Sequence, residues 1–349
     1  MQSTSPPSPR KSKRQRLAEL LEGCALHRAL EPLHDLGRRP LIVLGYHRIR
    51  DLGPQAQMND PDLVSATPDE FAWQMQHLRE NHDVVSVEQI MEHLDGGTPL
   101  PKRAVAVTFD DGFADTYHTA FPILQRYGIP AAVFVTTDYL GSGDVFWFER
   151  VAQIVMTVPV RWLTLEAERL PTADDDASRH ADLRRVLAAL KRMAKGQREQ
   201  LVASWTAQHP EPARLSPTDD ARCIDWEQLH QLAGGGISIG SHTVSHPNLA
   251  LLPQAEQLQE LTDSRKQLTA SLGKSVDTLA YPIGTAEAFN AQVAATAKQA
   301  GYRLGFTCLH GVNWQEALEP LALRRLSMGP HITREWFAAM ISLPLWCAG

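Results

Sequence analysis

Short apolar runs alternate with amphipathic helical stretches along most of this 349-residue chain. The runs lack the polar–apolar alternation of a half-exposed strand, so they indicate strands that are covered on both faces. Helices between such strands indicate parallel pairing and an α/β fold. Seven runs in this order predict a closed or nearly closed seven-stranded (β/α) barrel, with active residues at the C-terminal strand ends. The runs are Leu41–Leu44, Ala104–Phe109, Ala131–Val135, Ile237–Ser241, Thr278–Tyr281, Leu304–Thr307 and Leu323–Leu326.

The alternation breaks between residues 141 and 221, which we interpret as a mostly helical insertion. It contains an amphipathic stretch (Trp147–Val158), a possible hairpin (Trp162–Leu170) and a charged helix from Ala181 to about Gln208. The predicted division of the chain has five parts: a disordered basic tail (1–16), an N-terminal helix (17–40), the barrel (41–140 and 222–330), the insertion (141–221) and a C-terminal segment (331–349).

The net charge and the hydropathy of the chain limit which kinds of molecule, such as nucleic acids or membranes, the protein is expected to bind. A net charge of −6 and a pI near 6.2 argue against a general nucleic-acid binder. We read the basic block at 10–16 as a solvated tail, with membrane-surface or RNA contact as the alternative. We see no signal peptide and no run long enough to span a membrane. Together with four scattered cysteines, this leads us to expect a cytoplasmic protein without stable membrane insertion.

The segment TFDDG places two carboxylates, Asp110 and Asp111, directly after the second predicted strand. Aspartate and glycine also favour turns for conformational reasons alone, so a structural turn is the competing interpretation. In a barrel, however, this is the edge that displays catalytic groups.

The segment SHTVSH places His242 and His246 after the fourth predicted strand. Two histidines four residues apart fall on one side of a helical turn and can bind one ion. One carboxylate and two imidazoles would form a three-ligand site open to water and substrate, suited to zinc or a similar divalent ion. The second aspartate would then be free to act as a base.

The segment LAYPIG covers the end of the fifth predicted strand, Thr278–Tyr281, and the three residues after it. Proline and glycine fix a turn there, and the backbone N–H of Ile283 is placed to face an oxyanion. An ordinary turn is the alternative interpretation.

These three segments, in this order, resemble the polysaccharide deacetylase family, the NodB-homology domains of carbohydrate esterase family 4. The resemblance covers roughly Leu41–Val135 and Asp225–Met328. It implies that the barrel is distorted and that the protein removes N-acetyl groups from N-acetylhexosamine glycans with a divalent metal, usually zinc. By motif position it implies these roles: Asp110 as general base, Asp111, His242 and His246 as metal ligands, and the Ile283 N–H as an oxyanion donor.

The chain departs from the family pattern in two places. The family's arginine, which holds the base, is replaced by Leu279 and Ala280, and Arg324 or Arg325 is the candidate substitute. Strand alternation allows only one of those two to point inward.

The family's Leu-x-His general acid is also missing, since Leu326-Ser327-Met328 stands there. His47 follows the first strand, which neighbours the last in a closed barrel. A similar N-terminal Tyr-His occurs in deacetylases of poly-N-acetylglucosamine. We therefore predict His47 as the acid, with His310 and His331 as further candidates.

We predict substrate contacts at Tyr281, Trp314 and Arg324. Trp147, Phe148 and Trp226 are further aromatic candidates for a sugar platform. The insertion would border the pocket and narrow it for a small or lipid-linked sugar. Two alternatives stay open: a related hydrolase of another amide, such as a deformylase, and a non-catalytic carbohydrate-binding relative.

Overall fold

The computed structural model describes residues 38–51, 60–158, 164–165, 168–169, 176–209 and 221–343. The predicted basic tail and almost all of the predicted N-terminal helix lie outside the described residues, as do residues 344–349. The five-part division of the chain therefore stays a prediction.

Seven parallel strands close into a barrel, as predicted. Each strand pairs with the next, and the last pairs with the first through Leu44–Leu326 and Gly45–Ser327. The closure places the C-terminal ends of all seven strands around one rim. The strands are β1 (Pro40–Tyr46), β2 (Ala104–Phe109), β3 (Ala131–Val135), β4 (Ser238–Ser241), β5 (Thr278–Ala280), β6 (Leu304–His310) and β7 (Leu323–Ser327).

Both faces of β1 to β5 are buried, which explains their continuous apolar sequences, whereas β6 and β7 also carry exposed residues. In β1, Leu41 and Val43 belong to one buried cluster, whereas Ile42 and Leu44 belong to another. The first cluster also contains small residues of β2 and β3 together with Phe134 and Phe306, so large and small side chains together fill the barrel interior. Short strands flank the barrel: Asp83–Val84 pairs with β2, and Asn313–Trp314 pairs antiparallel with β1.

Ten α-helices lie among the described residues. Thr67, Ser86 and Asp225 cap the N-termini of three helices, and the side chain of each accepts the backbone N–H three residues on. Gly128 ends a helix in the left-handed conformation. The helices are α1 (Pro68–Asn81), α2 (Val87–Leu94), α3 (Phe121–Tyr127), α4 (Trp147–Thr157), α5 (Asp176–Lys191), α6 (Lys195–Gln208), α7 (Trp226–Gly234), α8 (Gln254–Leu272), α9 (Ala291–Gln299) and α10 (Arg334–Ser342).

The segment between β3 and α7 differs from expectation in one respect. We predicted one helix from Ala181 to about Gln208, but the chain turns at 192–194 and forms α5 and α6. A straight helix over 176–208 would be about 50 Å long. The turn lets Leu190 of α5 and Trp205 of α6 pack in one cluster with α4. The predicted hairpin is confirmed, since Thr164–Leu165 pairs antiparallel with Glu168–Arg169.

Across the described ranges, none of the helices has the length and apolar character needed to cross a membrane.

Candidate active site

Asp110 and Arg325 form an enclosed ion pair at the rim of the barrel. Two guanidinium nitrogens of Arg325 donate to the two carboxylate oxygens of Asp110, at 2.8 and 2.6 Å. Both side chains are 1% exposed. The Arg325 side chain passes over Gly45 of β1, where an added Cβ would lie 3.4 Å from it. Burial alone would raise the pKa of Asp110, but Arg325, with His242 and His47, lowers it well below its usual value.

Asp111, His242 and His246 form a buried cluster suited to a metal ion. Their ligand atoms lie within 4.8 Å of one another. Asp111 Oδ1 is 3.4 Å from Nε2 of each histidine, and this buried atom has no hydrogen-bond partner among the residues that the structure describes. His242 Nδ1 lies 2.8 Å from the carbonyl oxygen of Ala280, which directs Nε2 toward the cluster. Burial lowers the pKa of His246 to about 3, so its ring is neutral, as a ligand requires. These residues fit a divalent ion.

The segment that joins the two histidines is not the helical turn we predicted. Thr243 and His246 adopt left-handed φ angles of 68° and 56°. Glu260 of α8 causes the difference, because its Oε2 accepts the N–H groups of Val244 and Ser245, at 3.0 and 2.9 Å. A helical turn would direct those N–H groups differently. The histidines therefore converge through an anchored, irregular loop.

The turns after β2 and β5 are also unusual. Asp111 and Ile283 have φ angles of 73° and 64°. Each precedes a glycine with positive φ that has no room for a side chain: a Cβ on Gly112 would lie 2.8 Å from Val135, and one on Gly284 would lie 2.7 Å from the Cys308 backbone nitrogen. The Ile283 N–H has no backbone acceptor in the part of the chain that the structure describes.

His47 lies at the end of β1, beside Asp110. Its Nε2 is 4.0 Å from Asp110 Oδ2, and its side chain is 26% exposed. The backbone N–H of His47 donates to Ser65 Oγ at 2.8 Å. The next residue, Arg48, is fully buried and bonds Asp115 at 2.9 Å. The imidazole therefore faces the rim from a fixed piece of backbone.

All six residues that we predicted for catalysis or metal binding line one cavity of about 440 Å³. This volume is in the range of small-ligand sites. Loop residues 60–63 and the C-terminal part of α5 complete its wall. The six residues are His47, Asp110, Asp111, His242, His246 and Ile283.

The three predicted substrate contacts lie elsewhere. Tyr281 is buried and donates to the Leu321 carbonyl, and Trp314 lies under the Arg38 guanidinium. Arg324 is exposed and bonds the His310 carbonyl, since strand alternation turns Arg325 inward instead. We therefore leave these three residues out of the proposed site.

Of the remaining aromatic and histidine candidates, only Phe148 lines the cavity. Its ring contacts the His246 ring at 5.2 Å, whereas Trp147 is covered by Arg198 and Trp226 does not line the cavity. His310 and His331 are exposed and do not line the cavity.

Some residues at the site were not identified from the sequence. Glu149 of α4 and Asp115 flank the buried Arg48 guanidinium, at 3.5 and 2.9 Å. Glu260 also carried no local signal. The sequence does contain one signal for Glu149, which is a charged residue directly after the apolar residues 145–148. Lys191 and Arg192 line the cavity from the end of α5.

Comparison with known proteins identifies the family. A family model described as "Polysaccharide deacetylase" matches residues 97–305, more than half of the chain. The chain belongs to the polysaccharide deacetylase family. It resembles the poly-β-1,6-N-acetyl-D-glucosamine N-deacetylase of Escherichia coli K12, at 40% identity over 91 residues, which cover 26% of this chain and 13% of that protein. The protein of the same name from Staphylococcus epidermidis is 33% identical over 110 residues, which cover 29% of this chain and 37% of that protein.

Solved structures of deacetylases share the fold of this family member. The Streptococcus pyogenes deacetylase PplD in complex with acetate aligns with a TM-score of 0.59 at 21% identity, covering 87% of this chain and 99% of that one. The structure of IcaB from Ammonifex degensii aligns with a TM-score of 0.55 at 20% identity, covering 88% and 97%. At this identity the alignments establish the barrel fold.

Proposed function

We propose that this protein is a metal-dependent hydrolase that removes N-acetyl groups from an N-acetylhexosamine-containing glycan or glycoconjugate. The proposal rests on one observation. Asp110, which is bonded to Arg325, and the cluster of Asp111, His242 and His246 line the same cavity. The names of the partly matching relatives support this substrate class. The pairing of Asp110 with Arg325 favours an enzyme over a non-catalytic relative, because the missing family arginine has a substitute.

Asp111, His242 and His246 would hold the ion, for which we propose zinc. When bound, a zinc ion supplies Lewis-acid polarisation of the acetyl carbonyl and lowers the pKa of water. Asp110, kept ionised by Arg325, accepts a proton from the attacking water. The Ile283 N–H donates to the oxygen that becomes negative, a contribution of typically about a hundred- to a thousand-fold in rate.

His47 donates a proton to the leaving amine. Water oxygen bonds to the carbonyl carbon, the C–N bond breaks, and acetate and the free amino sugar leave. His47 Nε2 and Asp110 Oδ2 lie 4.0 Å apart, so both groups face the same place in the cavity, where one substrate amide is within reach of both.

The experiment measures zinc content and acetate release from N-acetylglucosamine oligosaccharides. We expect wild type to bind about one ion per chain and release acetate. Asp110→Asn should keep the ion and lose about a thousand-fold in kcat, in line with a general base. His242→Ala should lose the ion. Wild type that binds no metal in excess zinc would contradict the proposal, and formate release from an N-formyl substrate alone would redirect it to a deformylase.

A further inference from the structure

Part of the cavity wall is formed by α5 (Asp176–Lys191), a part of the chain outside the seven strands. Its last turns and the residue after it place Leu187, Ala188, Lys191 and Arg192 on the cavity. Asn248 Nδ2 donates to the Lys191 carbonyl oxygen at 3.0 Å. Because Asn248 is two residues after His246, this bond fixes the end of α5 beside the proposed metal cluster.

Several charges of the cavity are already balanced by protein partners. Arg184 binds Asp62 through two bonds, at 2.7 and 3.0 Å. Asp110 is balanced by Arg325. Because these charges are paired within the protein, they attract a charged ligand only weakly.

Lys191 and Arg192 differ, because neither side chain forms an ion pair or hydrogen bond with any residue that the structure describes. Asp60 lies near enough to Lys191 to feel its charge but not to bond it, and its oxygen instead accepts the Asp62 N–H at 3.0 Å. Glu287 enters the cavity from the loop after β5 and accepts the Thr285 hydroxyl at 3.1 Å. The end of α5 thus presents to the cavity two cations that form no ion pair with a carboxylate of the described residues.

We infer that Lys191 and Arg192 form a subsite for an anionic group, phosphate or carboxylate, carried by the N-acetylated sugar. This inference rests on the proposed function and specifies its substrate class. Lysine and arginine bind such groups through charge-assisted hydrogen bonds, which are stronger than bonds between neutral groups. An anion there would lie at the end of α5 that lines the cavity.

The test uses three oligosaccharides of N-acetylglucosamine: unmodified, with a 6-phosphate, and with C6 oxidised to a carboxylate. The measured quantity is kcat/KM for each charged probe divided by that for the neutral one. We expect this ratio to exceed one for at least one charged probe in wild type, and to fall about tenfold in Arg192→Gln. The probe with the larger ratio identifies the anion.

Arg185→Gln is the matched control, because it removes the same charge seven residues earlier, from α5, at a side chain that does not line the cavity and pairs with Asp182 instead. Arg192 is the first choice for substitution since it lies after α5. Lys191→Gln is the second variant. Equal use of all three probes, or an Arg192→Gln ratio equal to that of Arg185→Gln, would overturn the inference and leave the proposed function intact.

Failure of the proposed function is distinguishable from failure of the inference. If no probe releases acetate, calorimetric binding of the 6-phosphate and carboxylate probes to the intact protein still tests the subsite. Binding of either that weakens about tenfold in Arg192→Gln, but not in Arg185→Gln, supports it. Absence of binding by both, or equal affinity in the two variants, overturns it.

Discussion

The two bonds between Arg325 and Asp110 control the protonation state of the proposed base. Lysine in place of arginine keeps the positive charge but cannot make two parallel N–H···O bonds to one carboxylate. Because Arg325 lowers the pKa of Asp110, weakening the pair raises that pKa. A base with a higher pKa becomes protonated, and therefore inactive, at a higher pH.

We predict that Arg325→Lys lowers kcat at least tenfold and moves the acid limb of the pH profile of kcat/KM to higher pH. The measurement is the pH–rate profile of acetate release. Arg324→Lys is the matched control, since the neighbouring side chain is exposed on the same strand. Coincident acid limbs in the two variants would show that Arg325 does not set the protonation of Asp110.

Ile283 is a β-branched residue with a φ angle of 64°. A side chain in this region costs roughly 1–2 kcal/mol, and glycine avoids the cost. Ile283→Ala and Ile283→Gly both remove the apolar side chain, but alanine keeps the strain. We predict that Ile283→Gly unfolds with a free energy about 1 kcal/mol higher than Ile283→Ala, measured in urea. An alanine variant as stable as the glycine variant would mean that the turn relaxes.

The loop from Ser241 to His246 depends on an element distant in sequence. The carboxylate of Glu260, on α8, accepts two backbone N–H groups and the Ser245 hydroxyl of this loop. It also accepts a bond from Lys195 Nζ at the start of α6. The loop is therefore held between the barrel helix α8 and the helix α6. Its two left-handed residues need such support, because this conformation is otherwise unfavourable.

We predict that Glu260→Gln weakens zinc binding about 10- to 100-fold, because the amide cannot accept both N–H groups as well as a carboxylate does. Competition with a chromogenic chelator measures the affinity without requiring turnover. Glu256→Gln is the control, one turn earlier on α8 and without bonds to the loop. Equal affinity in both variants would assign the loop geometry to other contacts.

The elements of the barrel could be predicted because their signals are local. Apolar runs located all seven strands. TFDDG and SHTVSH located Asp110, Asp111 and both histidines, because these follow strands directly. The partner of Asp110 could only be narrowed to Arg324 or Arg325, since the inward direction depends on the register of β7 against β1.

Glu260 and Lys191 could not be predicted. Their contacts join segments that approach only after the barrel has closed. The helices α5 and α6 were also merged in our prediction, since the turn at 192–194 contains neither proline nor glycine to mark it. Tyr281 and Trp314, which we predicted as substrate contacts, pack against protein instead. The sequence shows that an aromatic residue is near a motif, but it does not show which way the side chain points.

At the scale of the whole molecule, α4 and its neighbours are joined to the barrel through a buried charge cluster. Arg48 follows β1, Asp115 follows β2, and Glu149 belongs to α4. Arg48 also lies 4.6 Å from the centre of the Phe113 ring. All three charged side chains are buried, so their mutual balance affects the stability of the entire fold.

The pH dependence of stability tests this balance. Burial raises the pKa of Glu149 from 4.5 to about 7, although Arg48 opposes the rise. Between these values the folded protein holds a proton that the unfolded chain releases, so the contribution of Glu149 to stability is complete below pH 4.5 and is lost as the pH rises through 7. Glu149→Gln cannot titrate. We therefore predict that the unfolding free energy of wild type, minus that of Glu149→Gln, falls by on the order of 2–3 kcal/mol between pH 4.5 and pH 8. Urea unfolding across this range measures it, and a constant difference would mean that Glu149 stays ionised beside Arg48.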